Sequence, residues 1–448
     1  MNEETPATGV QRHTRLSRRH FLHTAGGLLL GAFAPPSIIP ARALGRDGTV
    51  APSNRITLGV VGLSQGWVDL ERCLQFDDVQ GIAACDTDAK RLALGVNRIN
   101  THHNGKVARG YRDFREMFAT AGLDAVILAA PDHWHGIMAV RALRAGLDVF
   151  GEKPLAHTLA EGRAVVDAVR QHGRVWQTGS WQRSVWNFRQ AAELVRNGRI
   201  GKVTHVEIGT YGGGTSKRPK PRDFGHPPSH LDYDLWVGPA AWTNYDSRVT
   251  HGSWRYVLNY GGGKLLDWVG HHGDIAQWAL GFDHSGPVKI TGNGNFETYA
   301  PYDVATKYRC EFIYENGVTM VVSSEFQPGT KFYGEHGWLF VTRGRGLNGK
   351  PSIEASDPAL LNPPATPGEV RMYRSDDHWR NFIDCIKSRR ETVAPVEAAQ
   401  RSSSLGHLGH IAMLTGRTLQ WNPVTETLTN DPSASALLNP VFRSPWTL

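Results

Sequence analysis

The sequence predicts an α/β chain of two domains, the first built on a doubly wound parallel sheet. Three observations carry this. The 448 residues exceed what one ordinary core organises. From Ile56 to Pro154, short apolar runs alternate with helix-length segments, the pattern of a parallel sheet with helical crossovers. After about Gly201 the texture changes to alternating strands joined by hairpin turns such as Glu315-Asn316-Gly317.

The chain opens with "SRRHFLHTAGGLLLGAF", a paired Arg18-Arg19 before an apolar run, Thr24 to Phe33, too short to span a bilayer. Ala41-Arg42-Ala43 follows as an A-x-A cleavage pattern. These features predict a twin-arginine export signal over residues 1–44, with the mature chain starting near Leu44. They place the protein in the periplasm or another extracytoplasmic space, with no stable membrane anchor after cleavage. Such export carries folded proteins, so a cofactor can travel with the chain.

Composition is globular, 40% hydrophobic and 20% charged. The formal charge is +7, but the leader holds Arg12, Arg15, Arg18, Arg19 and Arg42 against Glu3 and Glu4. Without those five positive and two negative charges the body is left at about +4, which gives little support for a nucleic-acid partner. Cys73, Cys85, Cys310 and Cys385 are scattered and form no CxxC, which excludes a disulfide scaffold and a cysteine zinc site.

In the first domain "ITLGVVG", "VQGIAACD", "DAVILAAP" and "LDVFGEKP" read as buried strands, with helices such as "DFREMFATAG" and "GIMAVRALRAG" between them. The turn after the first strand is "GLSQGW". A dinucleotide fingerprint asks for G-x-G-x-x-G, a tight turn that brings backbone N–H groups to a pyrophosphate at a helix N-terminus. Gly62 fills the first place and the small Ser64 the second, while Gly66 falls one residue early. Gly62, Leu63, Ser64, Gln65 and Gly66 are the candidate cofactor turn. Asp86 ends the second strand about 20 residues later, where an acid accepts from a ribose diol or caps the next helix. It favours NAD, while Lys90 and Arg91 nearby leave NADP possible.

The next strand ends read "APDHWHGIMAVRALRAGLDVFGEKPL", with Pro131-Asp132-His133-Trp134-His135 and then Glu152-Lys153-Pro154. "QTGSWQRS", "ELVRNGRIGKV", "LDYDLWVGPA" and "LLDWVGHHGDIAQW" follow. Over residues 55 to 448 these motifs resemble the glucose–fructose oxidoreductase and inositol dehydrogenase family, Gfo/Idh/MocA. The resemblance implies an NAD(P)-binding Rossmann domain over residues 45–180. It implies a second, α+β domain over residues 181–448, with a large open, mainly antiparallel sheet that supplies most of the substrate pocket. It further implies Pro131, His135, Glu152 and Lys153 beside the cofactor. Lys153 becomes the catalytic lysine, His271 the catalytic histidine and Asp267 the acid before it. A cis Lys153–Pro154 peptide and a homo-oligomer joined through the open sheet are also implied. The family's D-x-G-x-H-x-x-D appears with Val269 in the glycine's place and Gly270 after it.

Later strands are "KVTHVEIGTYGG", "VKITGNGNFE", "TKYRCEFIYENGVTMVVSSEF" and "GWLFVTRG"; Gly344–Gly368 reads as a surface excursion and closing helices lie at about 376–420. Eight of the 14 tryptophans, Trp254 among them, fall between Trp176 and Trp278. Flat aromatic faces suit sugar C–H faces, which points to a carbohydrate substrate, although aromatic rings also build cores. Gln182, Arg183, Trp254, His271 and Asp274 are the candidate substrate contacts. If residues 265–278 form one helix, Asp267, His271 and Asp274 share a side and His272 is rotated away by about 100°. No HExxH spacing exists and adjacent helical histidines do not converge, so no metal is expected.

Oxidising a secondary alcohol needs a hydride acceptor, a base and fixed geometry. NAD supplies the first. His271 or Lys153 can supply the second; the sequence leaves open which. A soluble cofactor is scarce outside the cytoplasm, which favours one that stays bound. The expectation is an NAD(P)-dependent oxidoreductase for a sugar, glycoside or polyol. A redox-neutral glycosidase or lyase working through a keto-sugar is the alternative, and a non-catalytic carbohydrate-binding protein a further one.

Overall fold

The computed structural model describes residues 50–213, 225–296, 299–343, 352–362, 367–429 and 431–448. The expected export signal lies outside the described residues.

The first sheet has six strands: β1 (Ile56–Val61), β2 (Val79–Cys85), β3 (Arg109–Tyr111), β4 (Ala125–Leu128), β5 (Asp148–Gly151) and β6 (Trp176–Thr178). All pair in parallel, in the order β3-β2-β1-β4-β5-β6. That is the Rossmann order, which leaves a crevice where the winding reverses between β1 and β4. Every residue of β4 and β5 is buried, as helices on both faces of a parallel sheet require. The three-residue strands β3 and β6 are too short to carry a period, and the sequence did not announce them. Helix starts are locally encoded. Asp88 and Asp113 cap the helices Ala89–His102 and Phe114–Thr120, and Thr158 with Glu161 forms a capping box on Leu159–His172. The capping role weighed for Asp86 therefore belongs to Asp88.

Among the described residues the second sheet has nine strands: β7 (Val203–Gly209), β8 (Lys289–Asn295), β9 (Lys307–Ile313), β10 (Thr319–Ser323), β11 (Gly329–Gly334), β12 (Gly337–Thr342), β13 (Ser352–Ala355), β14 (Leu419–Asn422) and β15 (Thr427–Leu428). Their order is β13-β12-β11-β7-β10-β9-β8-β14-β15. Only β7 and β10 pair in parallel, so the sheet is mainly antiparallel, as expected. The β9–β10 hairpin turns at Gly317, whose φ of +86° suits glycine. The span expected as a surface excursion contributes β13 to the sheet edge, against β12.

Two helices near the C-terminus tie the sheets together. Val396–Thr415 is buried along almost its whole length; Leu405, Leu408, Ala412 and Met413 pack with Ile290, Cys310 and Phe312 of the second sheet. His378–Ser388 instead packs Phe382, Ile383 and Ile386 against Leu58, Val60 and Ile127 of the first sheet. Trp446 closes on Phe114 and Trp134. The chain after residue 181 thus returns to the first lobe, which periodicity cannot reveal.

Candidate active site

A cleft of about 480 Å³ opens at the C-terminal ends of β1, β4 and β5. Gly62, Leu63, Ser64, Gln65 and Asp86 line one end; Lys153, Asp267, His271, Trp254, Trp268 and Arg343 line the other. Pro131, His135 and Glu152 lie along it between them.

The degenerate turn meets its physical demand. Gly62 holds φ at +85°, and a Cβ there would sit 2.5 Å from the Ala129 carbonyl oxygen. Gly66 does not reach the cleft: a Cβ there would sit 2.9 Å from Val60 and 3.1 Å from Ala129, so it lets the helix close on the sheet. That is the third glycine's task, done one residue early. Ser64 precedes the helix Gln65–Cys73 without capping it by its side chain, which leaves the first-turn N–H groups open to an anion. Asp86 accepts from the Leu63 N–H at 3.0 Å and the Asp88 N–H at 2.9 Å, which joins the turn to the end of β2. A helix N-terminus, a glycine cradle and a strand-end acid fit a dinucleotide.

At the other end Lys153 follows β5, before the cis bond to Pro154. Its ammonium pairs with Asp267, whose other oxygen accepts from Lys264 at 3.1 Å. Burial would lower the Lys153 pKa, but Asp267 and Glu152 outweigh it and raise it. Burial would raise Asp267, yet the two lysines hold it well below the usual carboxylate range. The pair therefore stays charged.

Residues 265–278 do not form one regular helix. An α-helix, Gly263–Trp268, passes through a π-helical turn, Val269–Gly273, into a second α-helix, Asp274–Leu280. Carbonyls of the wide turn accept from outside: Gly270 from the Ser180 hydroxyl at 2.8 Å, His272 from the Thr330 hydroxyl at 2.9 Å. Val269 is fully buried against Gly406 on the helix Val396–Thr415. Gly270 lies on the Lys153 stem, where a Cβ would be 3.1 Å from the lysine Cβ. The displaced glycine thus gives the lysine room.

His271 faces the cleft between the edges of Trp181 and Trp268, ring centroids 6.4 and 5.5 Å away. Its Nδ1 is buried without a partner among the described residues. Burial, then the charges of Arg343 and Lys153, push its pKa well down, so the ring is neutral. Asp267 precedes it in the motif but does not pair with it, because Asp267 is spent on the two lysines. His272 turns away and binds the Gly209 carbonyl at 2.8 Å through Nδ1, so it anchors the turn to β7.

Several expected contacts are corrected. Arg183 and Asp274 do not line the cleft. They form a buried bidentate pair at 2.8 Å on each arm, joined by Asp283, with side chains only 2% exposed. Gln182 is fully buried and accepts from the Arg343 Nε at 2.9 Å. His135 lines the cleft, but its two nitrogens face the Ala130 and Pro154 carbonyls at 2.8 and 2.7 Å. It fixes two loops and offers no free donor. His133 similarly sits between the Trp236 and Tyr260 carbonyls. Trp254 does line the cleft.

The sequence also missed residues. Asp132, one place before the histidines, lines the cleft with its carboxyl raised to about 7 by burial and by Asp267. Asp69 accepts from the Trp379 indole at 3.1 Å and is raised by burial and by Glu152. Arg343 follows β12 and gave no local signal. Among the described residues no three His, Cys, Asp or Glu side chains converge on a metal position.

Known proteins place this architecture. A family model described as an oxidoreductase family, NAD-binding Rossmann fold, matches residues 56–180, and one described as its C-terminal alpha/beta domain matches residues 188–448. The scyllo-inositol 2-dehydrogenase (NAD(+)) of Bacillus subtilis (strain 168) is 29% identical over 196 residues, 43% of this chain and 46% of that protein. The chain thus spans about half the length of that relative. A glycosyl hydrolase family 109 protein of Stenotrophomonas maltophilia (strain K279a) is 22% identical over 405 residues, 83% of each. The WlbA dehydrogenase from Bordetella pertussis, solved with NADH and UDP-GlcNAcA, superposes with a TM-score of 0.61 at 17% identity, over 82% of this chain and 99% of that one. The aldose-aldose oxidoreductase from Caulobacter crescentus, solved with glycerol, gives 0.59 at 19% identity, over 82% and 99%. At such identities the structural likeness speaks for the fold alone. With both halves matched in order, and a cleft built for a dinucleotide between them, the chain belongs to the Gfo/Idh/MocA oxidoreductase family.

Proposed function

We propose that this protein oxidises a CH–OH group of a sugar, glycoside or polyol and keeps its NAD(P) bound through the cycle. One observation carries this: Lys153 and His271 line the same cleft as the Gly62 turn, with opposite protonation preferences. Lys153, held as an ammonium by Asp267, donates to the substrate hydroxyl oxygen and stabilises the developing alkoxide. His271, held neutral and with no competing partner, accepts the hydroxyl proton. When bound, the nicotinamide supplies the hydride acceptor. Trp254 lines the cleft, where an aromatic ring suits the C–H face of a sugar. The Arg18-Arg19 leader supports export with the cofactor already in place.

Denaturing the purified protein and analysing the supernatant should release NAD(H) or NADP(H). Native protein given sugars and glycosides should change nicotinamide absorbance. A protein that neither carries nor binds a nucleotide refutes the proposal.

A second use of the same residues has specific support. The relative aligned over 83% of both chains is a glycosyl hydrolase family 109 protein. Asp132, raised to about 7, supplies a carboxyl that holds a proton near neutrality, as a leaving group needs. Oxidation would acidify the adjacent C–H, elimination would expel the glycosidic substituent, and water addition and re-reduction would restore the sugar. Product release without net absorbance change would select this reading.

A further inference from the structure

Among the described residues, Arg343 is a cation without a carboxylate partner, at the reacting end of the cleft. Its guanidinium lies over the rings of Trp181 and Trp268, 4.4 and 4.9 Å from their centroids. These are the two indoles that flank His271. Nε donates to Gln182, a neutral amide. Nη2 is buried with no partner, and Nη1 makes no bond among the described residues. The nearby carboxylate, Asp267, is already shared by Lys153 and Lys264.

This arrangement is costly unless something completes it. A guanidinium drawn out of water is ordinarily held by a carboxylate, as the fully buried Arg183 is by Asp274 and Asp283; Arg343 is half-buried. Burial lowers the Arg343 pKa to about 10 even though Asp267, Tyr211 and Glu152 oppose the shift. The two indoles fix the guanidinium plane and Gln182 occupies Nε, so the Nη edge is the part left to bind. A planar fork with two unpartnered donors matches a carboxylate. The same fork can grip a phosphate, but one guanidinium balances a carboxylate's single charge and leaves a phosphate dianion only half neutralised.

We propose that Arg343 binds a substrate carboxylate, and that the substrate is a sugar acid: a uronate or its glycoside, with a ring hydroxyl at Lys153 and His271. The hydroxyl's placement rests on the hydride-transfer proposal; the carboxylate site rests on Arg343 alone.

The test uses the full chain loaded with NADH for binding and with NAD for turnover. Methyl glucuronide, methyl galacturonide, the matching neutral methyl glycosides and glucose 6-phosphate are compared by calorimetry and by initial rate. At least one uronide should bind roughly tenfold to a hundredfold more tightly than its neutral partner. Arg343→Gln should erase that ratio, and Arg343→Lys should restore part of it. Thermal melts of both variants check that they fold; if Arg343→Gln does not, Arg343→Lys and the wild-type ratio decide. Equal affinity for uronides and neutral glycosides, stronger binding of the phosphate, or a ratio unmoved by either variant overturns the inference and leaves hydride transfer standing. Arg343-dependent uronide binding without turnover of any sugar upholds the carboxylate site and overturns the hydride-transfer proposal instead. Binding of none of these probes overturns the inference.

Discussion

Asp267 and Asp274 sit in one short stretch, on either side of the same histidine pair, yet they do different work. Asp267 keeps 17% of its side chain exposed, lines the cleft and holds two lysines. Asp274 is 2% exposed and holds Arg183 under Trp278. In a regular α-helix, residues seven apart share a face. The π turn at Val269–Gly273 inserts an extra residue's worth of rotation, about 100°, and carries Asp274 off that face. One motif thus has an end in the cleft and an end in the core, and the wide turn divides them.

The largest effect should fall on Lys153→Met. We expect kcat to fall about 10²–10⁴-fold with the melting temperature nearly unchanged, because the site loses its charged donor but not its core. A melt depressed as strongly as the rate would erase the contrast between the two ends.

Arg183→Met tests the other end. It strands Asp274 and Asp283 in a buried site and should cost about 3–5 kcal/mol in a denaturant titration. A stable Arg183→Met variant with altered substrate affinity would move Asp274 back towards the cleft.

The pH profile sharpens the role of His271. Its pKa is pushed below the usual 6.5, so the base form persists below that pH. The acid limb of kcat/KM should therefore be centred below 6.5, with activity lost as pH falls through the lowered value. Lys153 is raised above its usual 10.5, so the alkaline limb should lie above it. An acid limb centred at or above 6.5 would mean that His271 is not the base.

His272→Ala removes the bond to Gly209 and should cost about 1–3 kcal/mol of stability, measured by melting, with a smaller effect on rate. Gly270→Ala should do least. Its Cβ meets the Lys153 stem at 3.1 Å, so the lysine shifts by tenths of an ångström. Less than about tenfold loss of kcat is expected. A full inactivation by this one methyl would show that Lys153 tolerates no displacement.

Much of the fold was legible because local rules sufficed. Buried parallel strands read as apolar runs, and Asp86 and Gly62 lie where a strand-end acid and a tight turn must. What escaped had no local signature. β3 and β6 are too short for a period, and β13 hides beside a Gly- and Pro-rich span. The helix His378–Ser388 looks like any amphipathic helix, whichever sheet it packs on.

The site divides in the same way. Lys153, His271 and Asp267 were picked out by motif, and the structure brings all three to one cleft. Gln182, Arg183 and Asp274 were picked out by polarity in a promising neighbourhood, and they proved to be buried partners. Polarity cannot distinguish a side chain waiting for a ligand from one already paired, because pairing is a long-range fact. Arg343 shows the converse: an ordinary-looking arginine after a strand, left without a counter-ion among the described residues.

By itself, then, the sequence determined the two sheets and the Gly62 turn, and it nominated Lys153 and His271 as the proposed reacting pair. These depend on periodicity, on glycine's backbone freedom and on motif spacing. Only the tertiary structure decided who partners whom: Asp267 with the lysines, Asp274 with Arg183, His272 with Gly209, and Arg343 with no carboxylate among the described residues. Hydrogen bonds and ion pairs join residues far apart in the chain, and a single π turn redirects the side chains that follow it.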